Sequence, residues 1–110
     1  MLVSQVTKGN VFRDLGFNRE EAEDLAMRTY LMAELRKFID KHKMTQAKAA
    51  EFFGVPRPKV SYIQNGKIDK LSIDYLVRLL SKTGGQLQYA FKQPSKKQFQ
   101  AACRAERGEA

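Results

Sequence analysis

The side chains best suited to recognising another molecule lie between residues 57 and 65 of this 110-residue chain. On a helical wheel at 100° per residue, Val60 and Ile63 point one way, and a polar set points the other way or flanks it. An arginine can hydrogen-bond guanine O6 and N7, and a proline ring can contact a thymine methyl group. We therefore predict contacts with DNA base edges for Arg57, Pro58, Lys59, Ser61 and Tyr62.

Residues on either side of this segment would lie where the DNA backbone runs. Polar and basic side chains, together with the free N–H groups at a helix start, are the usual partners of phosphate oxygens. We predict phosphate contacts for Thr45, Gln46, Asn65, Lys67 and Lys70.

Each of these residues also has a simpler interpretation. Arg57 and Lys59 could be ordinary surface charges, because most charge runs are solvated faces. Tyr62 could be a partly buried aromatic residue or a contact with a partner protein. Gln46 could serve only the start of its own helix.

Local signals predict the elements that position these residues. A helix starting at Thr45 and ending before Gly54, followed by a short helix from about Pro58 to Gln64, has the spacing of a helix-turn-helix. Asn18 with Glu21 resembles a capping box that opens a long helix to about Lys41. Ser72 predicts the N-cap of another helix that ends at Gly84-Gly85.

Charge and composition narrow the class of protein. The formal net charge is +8, and residues 41–70 contribute +5 of it, with seven basic against two acidic side chains. Such a surplus points to a polyanionic partner. One cysteine excludes an internal disulfide and one histidine leaves no zinc cage, so we expect a cytoplasmic protein with no metal, cofactor or membrane span. No pattern of paired acid, base or nucleophile indicates an enzyme.

The segment TQAKAAEFFGVPRPKVSYIQNGK, residues 45–67, resembles the lambda-repressor-like, or XRE, helix-turn-helix. The matching positions are Thr45, Gln46, Ala50, Gly54, Val55, Val60, Ser61, Ile63, Asn65, Gly66 and Lys67. The resemblance extends over roughly residues 9–92 and includes HigA-like antitoxins. It implies a mainly α fold of about five helices, a repressor that autoregulates a toxin–antitoxin operon, and a RelE/HigB-type toxin as partner.

The end of the chain has a different period. Leu87, Tyr89 and Phe91 alternate with polar or small residues, which predicts a β-strand over 86–92. An isolated strand needs a partner, either residues 2–7 or the same strand of a second subunit. We favour the second subunit, which gives a homodimer on a palindromic operator with half-sites about 34 Å apart.

The chain thus divides into four predicted segments. They are an N-terminal segment with a helical turn at 1–17, a DNA-binding domain at 18–84, a dimerisation strand at 85–94 and a polar basic tail at 95–110. Two other functions remain open. One is an orphan or phage-type regulator with no toxin, and the other is an interaction module that masks a partner without binding a specific DNA site.

Overall fold

A computed structural model describes residues 10–108 of the chain. Over this range it has six helices, numbered in chain order: α1 Val11–Asp14, α2 Arg19–Lys41, α3 Gln46–Phe53, α4 Arg57–Gln64, α5 Ile73–Lys82 and α6 Lys96–Glu106. None of the helices in the described range combines the length and the apolar character needed to cross a membrane.

The helix starts predicted at Asn18, Thr45 and Ser72 are confirmed. The Asn18 side chain accepts a hydrogen bond from the Glu21 N–H at 2.8 Å, and the Glu21 carboxylate accepts one from the Asn18 N–H at 3.3 Å, which completes the capping box. Thr45 and Ser72 each accept a hydrogen bond from the backbone N–H three residues on. These bonds satisfy donors that the first turn of a helix otherwise leaves unpaired.

Four helices, α2 to α5, enclose a single apolar core, and we call residues 19–82 the bundle. The second half of α2 runs through its centre, and Phe53, Val60 and Leu76 close over it from the three shorter helices with no exposed surface. The core residues are Leu31, Met32, Leu35, Ile39, Ala49, Ala50, Phe53, Val60, Ile63, Leu71, Leu76 and Leu79.

A tight turn joins α3 to α4. Gly54 ends α3 in the left-handed region at φ +68°, where a side chain would be strained, and the Val55 N–H closes the turn on the Ala50 carbonyl at 3.0 Å. The predicted start of α4 at about Pro58 is one residue late. Pro56 is the N-cap and Arg57 the first helical residue, because the first turn needs no N–H from Pro58.

The predicted strand over 86–92 is not formed in residues 10–108, and nothing in that range pairs with it. Its alternating residues also differ in environment, since Leu87 packs against the core whereas Tyr89 is 90% and Phe91 80% exposed. A strand requires hydrogen bonds to a neighbouring backbone, which alternation alone cannot supply. The other partner considered, residues 2–7, lies outside the described residues.

The polar tail contains the sixth helix, one more than the five expected. The Ser95 side chain accepts from the Gln98 N–H at 3.1 Å and the Gln98 side chain accepts from the Ser95 N–H at 2.7 Å, so a second capping box opens α6. No residue of α6 is buried. We call residues 86–108 the C-terminal arm.

The molecule is longer than a compact domain of its size. Its extents are 50 × 24 × 19 Å, and its radius of gyration of 16.5 Å exceeds the about 13 Å expected for 110 residues. Together with the exposure of every residue from 88 to 100, this indicates that the arm beyond Leu87 is not folded back onto the bundle.

Candidate nucleic-acid interface

The α4 helix has two distinct sides, as its sequence predicted. Val60 and Ile63 are fully buried and hold the helix on the core, whereas Arg57 and Pro58 at its start are exposed. The polar N-terminal turn of α4 therefore faces solvent, where another molecule can reach it.

Two cations from neighbouring helices fix the helix-turn-helix pair in place. The Arg36 guanidinium of α2 donates to the Ile63 carbonyl at 3.2 Å, and Lys82 Nζ of α5 donates to the Phe53 carbonyl at 2.6 Å. Both carbonyls lie in the last turn of a helix, where acceptors lack partners within the helix and a positive charge is favoured. Sequence reasoning did not identify either residue, because these contacts cross 27 and 29 positions of the chain.

The five predicted base-contact residues share α4 but differ in accessibility. Arg57 and Pro58 are exposed, and Ser61 is half-buried and accepts a hydrogen bond from Asn65 Nδ2 at 3.1 Å. Tyr62 is also half-buried and packs against the core, as in its simpler interpretation. The structure thus leaves Arg57 and Pro58 as the most open members of the set.

Lys59 lies beside an aromatic residue of α5. Its Nζ is 5.4 Å from the ring centroid of Tyr75, within the range of a cation–π interaction. Burial raises the pKa of the Tyr75 phenol, so its ring stays neutral at physiological pH. Tyr75 therefore helps to orient Lys59, a role that sequence reasoning missed and that only the contact between α4 and α5 reveals.

The predicted phosphate-contact residues lie before and after α4. Thr45 caps α3, and Gln46 Nε2 donates to Gln64 Oε1 at 3.1 Å, which ties the start of α3 to the last residue of α4. This bond uses one of the two Gln46 N–H groups. Asn65, Lys67 and Lys70 are all exposed in the segment that follows α4.

The basic side chains of α3, of α4 and of the segment that follows α4 are not neutralised by ion pairs within residues 10–108. The three ion pairs found in residues 10–108 are Arg28–Asp24 and Lys37–Glu34 on α2 and Arg78–Asp74 on α5. None of them involves a residue of α3, of α4 or of the segment that follows α4, so the basic side chains there remain available to an anionic ligand. At the start of α5, a hydrogen bond from the Ser72 hydroxyl is the main cause that lowers the pKa of Asp74, which remains charged near neutral pH.

A comparison with protein-family models identifies the family of the chain. A model described as a helix-turn-helix domain matches residues 11–91. The chain belongs to this family. No curated protein and no solved structure matches it.

As a helix-turn-helix protein, the chain is a DNA-binding regulator. In this motif the second helix enters the major groove with its N-terminal residues toward the bases, while the first helix crosses the DNA backbone. The second helix here is α4, and its N-terminal turn carries the exposed Arg57. The match ends at residue 91, so α6 lies outside the part of the chain that the family describes.

Proposed function

We propose that the protein is a sequence-specific transcriptional repressor that reads DNA with the first turns of α4. The observation that supports this most is the exposure of Arg57 and Pro58 on a helix that Val60 and Ile63 anchor in the core. In this proposal Arg57, Pro58, Lys59, Ser61 and Tyr62 face bases, with Arg57 bound to a guanine and Lys59 oriented by Tyr75.

Phosphate contacts complete the proposed docking. Thr45 and Gln46 lie at the start of α3, and Asn65, Lys67 and Lys70 lie in the segment after α4. The bond between Gln46 and Gln64 holds these two groups together, so both would contact the DNA backbone beside the C-terminal end of α4. Among residues 10–108, no carboxylate forms an ion pair with Lys67 or Lys70. Both ammonium groups would therefore be free of competing carboxylates when they meet a phosphate.

We propose further that two copies bind a palindromic operator as a homodimer. The apolar side chains Leu87, Tyr89 and Phe91 would contribute to the contact between the copies, and the exposure of Tyr89 and Phe91 supports this. A two-fold dimer presents two α4 helices about one DNA turn, or about 34 Å, apart.

The resemblance of residues 45–67 to HigA-like proteins supports a more specific role. We propose that the protein is an antitoxin that represses its own operon and binds a RelE/HigB-type toxin. A short toxin-like reading frame beside its gene, and co-purification of that product with the untagged repressor, would support this role. An orphan regulator would show neither.

The test of DNA recognition compares two substitutions on an operator selected from a random DNA pool. Arg57→Ala should cost about 1–3 kcal/mol at one base pair and relax the preference there, because a bidentate arginine contact is lost. Lys67→Ala should weaken binding to every sequence alike and reduce the slope of log K against log salt by about one. Fluorescence anisotropy at several salt concentrations measures both effects.

Arg13→Ala is the matched control, because Arg13 is an exposed arginine of α1, which packs on α2 rather than on the helix-turn-helix pair. It should leave the preference for each base unchanged. If Arg57→Ala weakens all sequences equally, Arg57 contacts phosphate and the proposed base contact is wrong. If selection yields no preferred sequence at all, the protein masks a partner rather than reading an operator.

A further inference from the structure

The exposed large apolar side chains of the protein concentrate in two places. Of the eight such residues in the described range, seven form two sets and only Phe52 lies apart. The arm set is Tyr89, Phe91 and Phe99, and the set at the other end is Val11, Leu15, Phe17 and Met27. Apolar surface gathered in this way is characteristic of interfaces.

The arm presents its apolar residues next to positive charge. On α6, Phe99, Ala102 and Cys103 share one side of the helix, and Lys96 borders this stripe whereas Lys97 lies on the other side of the helix. Residues 86–108 carry five basic side chains and one acidic side chain, a balance of +4.

The other end combines apolar surface with negative charge. An open groove of about 460 Å³ lies at the start of α2, lined by Phe17, Glu20, Glu21, Asp24, Leu25 and Arg28. Residues 10–27 carry five acidic and two basic side chains, a balance of −3. Asp24 pairs with Arg28 and Glu21 belongs to the capping box, but Glu20 forms no ion pair within residues 10–108.

We infer that α6 of one copy docks in this groove of a second copy, with Phe99 against Phe17 and Leu25 and with Lys96 near Glu20. A second copy is the occupant that the charges fit, since each chain carries both residues 10–27, with a balance of −3, and the arm, with a balance of +4. Reciprocal exchange of two arms covers Phe99 of each copy and Phe17 of the other, and closes the assembly by two-fold symmetry. The inference rests on the proposed homodimer and locates its interface.

Charge reversal tests the interface in the absence of DNA. Sedimentation equilibrium of the full chain at low salt should give a dimer that weakens as salt rises. Lys96→Glu and Glu20→Lys should each raise the dimer dissociation constant roughly five- to thirtyfold, because each substitution alters two equivalent contacts. Lys97→Glu makes the same charge change away from the stripe and is the control.

Mixing the two variants distinguishes exchange between copies from docking within one chain. In a mixture of Lys96→Glu and Glu20→Lys chains, both arm–groove contacts of a mixed dimer again join opposite charges. The mixture should therefore dimerise nearly as tightly as the wild type, although neither variant does so alone.

The outcomes separate this inference from the proposed homodimer. A monomeric wild type overturns both. A wild-type dimer in which Lys96→Glu and Lys97→Glu act equally, or in which mixing restores nothing, leaves the homodimer standing and overturns the docking of α6 in the groove.

Discussion

The bundle and the C-terminal arm use the same local signals with opposite results. Ser72 opens α5 in the bundle and Ser95 opens α6 in the arm, each by accepting a hydrogen bond from the N–H three residues on. The apolar residues that follow Ser72, Leu76 and Leu79, are buried, whereas Phe99 of α6 is 59% exposed. A cap therefore sets where a helix begins, but burial depends on a complementary surface elsewhere in the fold.

The largest expected difference between the two regions concerns stability. Phe53→Ala removes a fully buried aromatic ring from the bundle and should lower the free energy of unfolding by about 3–5 kcal/mol. Phe91→Ala removes an exposed ring from the arm and should change it by less than about 0.5 kcal/mol. Urea denaturation followed by circular dichroism, at a concentration where the protein is monomeric, measures both.

Equal losses for the two variants would contradict the division into bundle and arm. They would mean that Phe91 packs against the same chain in solution. A rise in protein concentration serves as a further control, because any contribution of Phe91 to stability should then increase with dimerisation.

The bundle was largely predictable because its signals are local and agree with one another. The caps at Asn18, Thr45 and Ser72 and the turn at Gly54 follow from neighbouring residues alone, and each is formed as predicted. No strand is formed over 86–92 within residues 10–108, although the sequence predicted one. That prediction depended on alternation, which records only which side each residue would face. Whether a strand forms depends on a second backbone that the sequence pattern does not specify.

In the candidate site too, features within one helix were predictable and contacts between helices were not. The exposure of Arg57 and the burial of Val60 follow from helical periodicity within one helix. The contact of Lys59 with Tyr75 and the bond of Gln46 to Gln64 join different helices. No local pattern predicts such pairs, because they depend on how helices pack.

A smaller change in the free energy of unfolding should locate the boundary between the bundle and the arm. Lys82 is the last residue of α5, and Lys82→Met should lower the free energy of unfolding by about 1–2 kcal/mol, because it leaves the Phe53 carbonyl without this charged donor. Lys92→Met makes the same replacement in the arm and should leave the unfolding free energy unchanged. Thermal unfolding of both variants provides the measurement.

Equal changes in the free energy of unfolding for Lys82→Met and Lys92→Met would contradict a boundary between bundle and arm after residue 82. A loss for both would extend the cooperative unit past residue 82 into the arm. If neither variant lowered the free energy of unfolding, the Lys82 hydrogen bond would make no net contribution to stability. Many exposed charged contacts likewise make none.

The smallest effect compares the two serine caps directly. Ser72→Ala removes the side-chain acceptor for the Tyr75 N–H and should lower the free energy of unfolding by about 1 kcal/mol. Ser95→Ala removes the equivalent bond to the Gln98 N–H but should leave the unfolding of the bundle unchanged, because α6 contributes no buried residue. Far-ultraviolet circular dichroism should instead show a small loss of helix in Ser95→Ala.

The two caps should also differ in their dependence on pH. The Ser72 hydroxyl is the main cause that lowers the pKa of Asp74, so the Asp74 carboxylate stabilises the fold above its ordinary pKa of about 4. This contribution is lost as the pH falls through the lowered pKa. The gap in melting temperature between wild type and Ser72→Ala should therefore be widest near pH 7 and narrow in acid.

The first turn of α6 contains no acidic residue, so Ser95→Ala should have the same melting temperature as the wild type at every pH. A gap for Ser72→Ala that stays constant from pH 7 to a pH well below the lowered pKa of Asp74 would mean that the hydroxyl acts on the Tyr75 N–H alone.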